Sequence, residues 1–86
     1  MYKIQLTAKA KRELKNLNKL DRLSIAEIIE ELKEDSKIGK PLSRELIKKF
    51  SYRVGVYRVI YMINHQDKKV VILSAGHRGI IYNLLF

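Results

Sequence analysis

The chain has 86 residues, 47% of them hydrophobic, which is enough for one small core and little besides. It contains no cysteine, which excludes disulfides and thiolate zinc sites and fits a cytoplasmic protein. Eighteen Lys and Arg against nine Asp and Glu give a formal charge of +9, a field that favours anionic partners: nucleic acid first, an acidic protein second, an anionic membrane surface third.

Tyr2-Lys3-Ile4-Gln5-Leu6 alternates apolar and polar residues and predicts a strand with one buried face. Thr7 can cap a helix whose inner stripe is Ala10, Leu14 and Leu17, with Lys9, Lys11, Arg12 and Lys15 outside. After the turn formers Asn16 to Lys19, Asp21 is the expected N-cap of a second helix. Ile25, Ile28, Ile29 and Leu32 form its buried face, and its outer side holds Glu27, Glu30, Glu31, Glu34 and Asp35, five of the nine acidic residues. The short connection predicts an antiparallel helical hairpin. Gly39 suits a C-terminal cap, and Pro41 blocks continuation. Residues 42–48 read as an irregular link or a short helical turn.

The next segment, from Phe50 to Tyr61, predicts a β-hairpin turning at Gly55-Val56. That register sets Val54 opposite Tyr57, Arg53 opposite Arg58, Tyr52 opposite Val59 and Phe50 opposite Tyr61. Opposed residues share a face, so Phe50, Tyr52, Val54, Tyr57, Val59 and Tyr61 lie together under the helices. Ser51, Arg53, Arg58, Ile60 and Met62 take the other face. Two facing arginines, with Cβ atoms roughly 5 Å apart, repel each other and ask for an anion between them. The strand runs on to Ile63, residues 64–68 form an exposed polar loop, and Val70-Val71-Ile72-Leu73 is expected as a central strand buried on both sides. Gly76-His77-Arg78-Gly79 reads as a flexible basic corner after it, and residues 80–86 as a short apolar tail. No run has the length of a signal peptide or a membrane span.

The expected architecture is α+β, in the order β-α-α-β-β-β, with the helical hairpin packed on a curved, mainly antiparallel four-stranded sheet in a single domain, residues 1–86. The pairing of the first strand stays open.

The two histidines are far apart and begin no ligand pattern, and no glycine-rich phosphate loop exists, so no metal or cofactor is expected. What remains is a concentration of Lys48, Lys49, Arg53, Arg58, His77, Arg78 and Tyr82, which reads as an RNA site. Cleavage of RNA by its own 2′-hydroxyl needs a proton acceptor, a proton donor for the 5′-oxygen and cations around the phosphorane, and arginine serves the last task with its fixed fork of donors. Tyr82 can stack on an unpaired base, while Tyr52, Tyr57 and Tyr61 belong to the core face. His65 sits in a loop with no assigned role.

Arg53-Val54-Gly55-x-Tyr57-Arg58-Val59-Ile60-Tyr61, followed by Ser74-Ala75-Gly76-His77-Arg78-x-x-x-Tyr82, resembles the RelE/ParE toxin superfamily, and more specifically its RelE-like branch. The resemblance extends over the opening strand, the helical hairpin and the Gly39-Lys40-Pro41-Leu42 link. It implies a toxin of a type II toxin-antitoxin system: a ribosome-dependent, metal-independent endoribonuclease that cuts mRNA in the decoding site. It further implies a cognate acidic RelB-like antitoxin, operator DNA reached only through that antitoxin, and no membrane partner. By the same resemblance Arg58 and Arg78 contact the scissile phosphate, Arg53 lines the pocket, Tyr82 stacks on a base and Lys49 is a catalytic-site lysine. From the basic concentration itself, Lys48 and His77 are expected as further RNA contacts. Ser51 departs from the pattern, since some members carry a second lysine there as proton acceptor. Either Lys49 or His77 then takes that role, or cutting is slower. Two rival readings follow from the same resemblance: a ParE-like toxin that binds DNA gyrase without catalysis, and an attenuated toxin acting mainly as a co-repressor with its antitoxin.

Overall fold

The structure, a computed structural model, describes residues 2–36, 38–41 and 49–77. In chain order these form β1 (Lys3–Leu6), α1 (Ala8–Lys15), α2 (Lys19–Glu34), β2 (Lys40–Pro41), β3 (Lys49–Val54), β4 (Tyr57–Asn64) and β5 (Lys69–His77). The expected α+β architecture is present. The sheet order is β1-β5-β4-β3-β2, so the four expected strands gain a two-residue fifth at the edge. There Pro41 lies opposite Phe50, at a margin where a missing backbone donor breaks no inner ladder. β1 pairs parallel with β5, from Lys3 opposite Lys69 to Leu6 opposite Ile72, which settles the one pairing that the sequence left open. All other pairings are antiparallel.

Thr7 caps α1 as expected: its backbone is extended and its Oγ1 accepts from the Ala10 N–H at 3.1 Å. The cap of α2 differs from expectation. Asn18, not Asp21, is the N-cap, with Oδ1 accepting from the Asp21 N–H at 2.8 Å. Asp21 therefore sits in the first turn, where its charge suits the helix dipole and its carboxylate is free to face the sheet. Gly39 does not cap α2 either, because the helix ends at Glu34 with Asp35 as its C-cap. Its role is close approach. A Cβ there would meet the Tyr61 hydroxyl at 2.6 Å, and the Gly39 N–H donates to that same oxygen at 3.0 Å.

The core joins Ala10, Ile25, Ile28 and Leu32 of the helices to Val59, Tyr61, Ile63, Val70, Ile72 and Ala75 of the sheet. Leu14, Leu17 and Ile29 pack against its margin. In β4 the residues that join this core alternate, Val59, Tyr61 and Ile63, while Arg58 and Ile60 between them are buried on the opposite face. In β5 they skip: Val70 and Ile72 are followed by Ala75, because a bulge shifts the β4–β5 register between Ile60 and Tyr61. Burial in β5 is one-sided over 70–73, since Val71 and Leu73 are only half-buried where burial on both faces was expected. Gly76 and His77, expected in a corner beyond the strand, are its last two residues and continue the ladder with Arg58 and Tyr57.

Candidate nucleic-acid interface

The β3–β4 hairpin has the register that the sequence predicts, pair for pair, from Phe50–Tyr61 to Val54–Tyr57. Gly55 takes φ of 60° and Val56 a negative φ, the sequence of signs in a type II′ turn, whose first central position calls for glycine. This turn matches the strand twist without a polar second residue, which explains how Val56 is tolerated.

Three contacts fix the helix-bearing face of the hairpin. The Tyr52 hydroxyl donates to Glu31 at 2.5 Å, the Tyr57 hydroxyl donates to Asp21, and the Tyr61 hydroxyl donates to the Ser36 carbonyl at 2.8 Å. Phe50 stacks on Tyr61 with ring centroids 5.4 Å apart. Hydrogen bonding to carboxylates raises the pKa of Tyr52 and Tyr57 above the usual phenol value, and burial raises that of Tyr61. The three tyrosines are thus structural, as the face parity predicts. Glu31 and Asp21 are more than a solvated surface, a role that charge patterning did not reveal.

With that face committed to α2, strand alternation sends Lys49, Ser51 and Arg53 of β3 and Arg58, Ile60 and Met62 of β4 to the far face. Arg53 and Arg58 are direct cross-strand partners, and on the next strand Arg58 faces Gly76. The row is therefore two guanidinium groups followed by a position with no side chain. Arg53 is exposed, whereas Arg58 is only 5% exposed. The desolvation of Arg58 strengthens its attraction for an anion placed between the two. Lys49 is half-buried at the start of β3, four residues and about 13 Å along the strand from Arg53.

His77 does not join this group. Its cross-strand partner is Tyr57, so the register places it on the helix-bearing side, beside the hairpin tip. The structure thus brings Lys49, Arg53 and Arg58 to one face and leaves His77 on the other. Lys48, Arg78 and Tyr82 lie outside the described residues, as do the 42–48 link and the 80–86 tail. His65 lies in the β4–β5 turn, its Nδ1 2.9 Å from the Tyr2 hydroxyl. A groove of about 410 Å³ between α2 and the hairpin tip is rimmed by Glu27 and Glu31, so its charge is wrong for the anion that the arginine pair attracts. Among the described residues no group of three or more His, Asp or Glu side chains could hold a metal ion, and no helix is long and apolar enough to cross a membrane.

Sequence reasoning missed the contacts that hold β5 in register. Ser74, 2% exposed, donates to both Glu13 oxygens at 2.8 and 3.0 Å, while Thr7 donates through Oγ1 to the Leu73 carbonyl at 3.3 Å and through its N–H to the Ile72 carbonyl at 3.1 Å. The available signal was a lone glutamate in an otherwise basic helix and a serine inside an apolar strand.

Residues 4–82 match the family model described as the ParE toxin of the type II toxin-antitoxin system. The chain is 38% identical to toxin RelG of Mycobacterium tuberculosis, covering 94% of this chain and 95% of that protein. It is 31% identical to toxin RelE of the same organism, covering 96% and 88%. Its fold superposes on a chain of the toxin-antitoxin complex RelBE2 from Mycobacterium tuberculosis with a TM-score of 0.83 and 37% identity, over 90% of this chain and 98% of that one. The motif order, the hairpin register and these likenesses agree: the chain belongs to the RelE/ParE family of toxins of type II toxin-antitoxin systems.

Proposed function

We propose that the chain is a cytoplasmic, ribosome-dependent endoribonuclease of the RelE type that cleaves mRNA by attack of the RNA's own 2′-hydroxyl. The observation that carries this reading is the opposed Arg53–Arg58 pair on the sheet face away from the helices. In the proposed step the 2′-oxygen forms a bond to the adjacent phosphorus, the bond from phosphorus to the 5′-oxygen breaks, and the two guanidinium groups stabilise the charge on the phosphorane. A base removes the 2′-proton and an acid returns one to the leaving 5′-oxygen, giving a 2′,3′-cyclic phosphate and a 5′-hydroxyl. Lys49 shares the face with the arginines, whereas His77 points to the other side, so Lys49 is the better candidate for the proton acceptor where Ser51 replaces a lysine. Arg78 on the phosphate and Tyr82 on a base complete the site in this reading.

Relatives solved as complexes with their antitoxins support a cognate antitoxin for this chain too. An acidic amphipathic segment closing on the basic far face would block the RNA site, and operator DNA would be reached through that partner. The family model's ParE description favours a second reading, contact inhibition of DNA gyrase without catalysis.

Primer extension on a message translated in vitro separates the two. The ribonuclease reading expects new 5′ ends that depend on Arg58 and leave plasmid supercoiling untouched. The gyrase reading expects loss of supercoiling activity and intact message.

A further inference from the structure

The bulge in β5 decides which residue lies beside Arg58. From Asn64 to Tyr61 the β4–β5 ladder keeps one register, and Tyr61 faces Ile72. Continued without interruption, that register would set Ser74 opposite Val59 in the core and Ala75 opposite Arg58. The bulge moves every later pair by one residue, so Ala75 faces Val59 and joins the core while Gly76 faces Arg58. A one-residue slip exchanges the two faces of a strand, so the bulge reverses the side to which each residue after Leu73 projects.

The bulge lies on the β4 side of β5, and the β1–α1 junction reaches the same residues from the other side. The Thr7 N–H donates to the Ile72 carbonyl and so extends the parallel β1–β5 ladder by one rung, while its Oγ1 donates to the Leu73 carbonyl at the bulge and accepts from the Ala10 N–H to cap α1. The buried Ser74 hydroxyl is held by the carboxylate of Glu13, the single acidic residue of α1. Among the described residues no strand continues beyond Leu6 on that side of β5, so α1 is the element that can reach the bulge.

We propose that Glu13, with Ser74 and Thr7, is a positioning residue for the RNA site: it holds the β5 bulge in the register that sets the side-chain-free Gly76 beside Arg58. With Ala75 in that place, a methyl group would stand against the guanidinium, and Gly76 would turn to the core side opposite Tyr57. The inference rests on the ribonuclease reading for its functional consequence, although the register itself can be observed independently.

The test compares wild-type protein with Glu13→Ala, Glu13→Gln and Ser74→Ala. The readouts are cross-strand nuclear Overhauser contacts of Arg58, thermal melting, and mRNA cleavage in a translating extract per mole of folded protein. Glu13→Ala is expected to replace the Arg58–Gly76 contact by an Arg58–Ala75 contact and to slow cleavage on the order of tenfold to a hundredfold at saturating message, as misplacement of a reacting group does. Glu13→Gln, which keeps an acceptor for the Ser74 hydroxyl, is expected to restore both. Ser74→Ala is expected to match Glu13→Ala, with no further loss in the double variant. An unchanged Arg58–Gly76 contact with unchanged cleavage per folded molecule would overturn the positioning role, even if the melting temperature falls. If Glu13→Ala shifts the register but wild-type protein cuts no message, the ribonuclease reading fails and takes the functional half of the inference with it.

Discussion

Arg58 combines near-complete burial with a cross-strand arginine neighbour, a combination that hydrophobic packing alone would not select. Replacing it by alanine should lower message cleavage about 100- to 1,000-fold, the usual effect of removing one group that stabilises developing charge. Single-turnover mapping of 5′ ends measures that loss. Tyr61 is the structural counterpart. Its hydroxyl accepts from Gly39 and donates to Ser36, so Tyr61→Phe leaves a backbone donor and acceptor without their partner and should destabilise the fold by about 2 to 4 kcal/mol in urea titration. The raised pKa values of Tyr52, Tyr57 and Tyr61 also predict alkaline behaviour. The folded phenols hold their protons more tightly than the unfolded ones, so their contribution is fully present below about pH 10 and is lost as pH rises through the folded values. Denaturant midpoints measured on either side of that range should fall only on the alkaline side.

The β3–β4 hairpin was the most legible element, because Gly55 marks the turn and alternation then assigns every side chain to a face. The Arg53–Arg58 pairing followed directly. Gly55→Ala should destabilise by about 1 kcal/mol without a clash, since φ of 60° is strained for alanine while the space around the position is open. Gly39→Ala should do the reverse, clashing with Tyr61 and the Ser51 carbonyl at an ordinary φ. The double variant Gly39→Ala with Tyr61→Phe should therefore be more stable than the sum of the two single changes predicts. Other features were hidden in the sequence for physical reasons. Asn18 and Asp21 are both good caps, and only the three-residue spacing between side-chain acceptor and backbone donor chooses Asn18. The β5 bulge left a continuous apolar run with no glycine at the bulge itself, so its register could not be read, and with it the side taken by His77. Its stabilising contacts come from Thr7 and Glu13, distant in sequence.

Charge is segregated over the molecule, with exposed lysines and arginine along α1, exposed carboxylates along α2, and Lys49, Arg53 and Arg58 on the far face of the sheet. The total of +9 makes association with RNA dependent on salt. If those three far-face cations each neutralise a phosphate, the logarithm of the binding constant for a short single-stranded RNA should fall against the logarithm of salt concentration with a slope of about −2. Arg53→Ala should reduce that slope by about 0.7. The decisive measurement is the mapping of mRNA 5′ ends in a translating extract with wild-type protein and with Arg58→Ala. New ends carrying a 5′-hydroxyl are expected on the translated message, absent from an untranslated one and lost in the variant. Equal cutting by both proteins, or no new ends with wild-type protein, would contradict the ribonuclease reading.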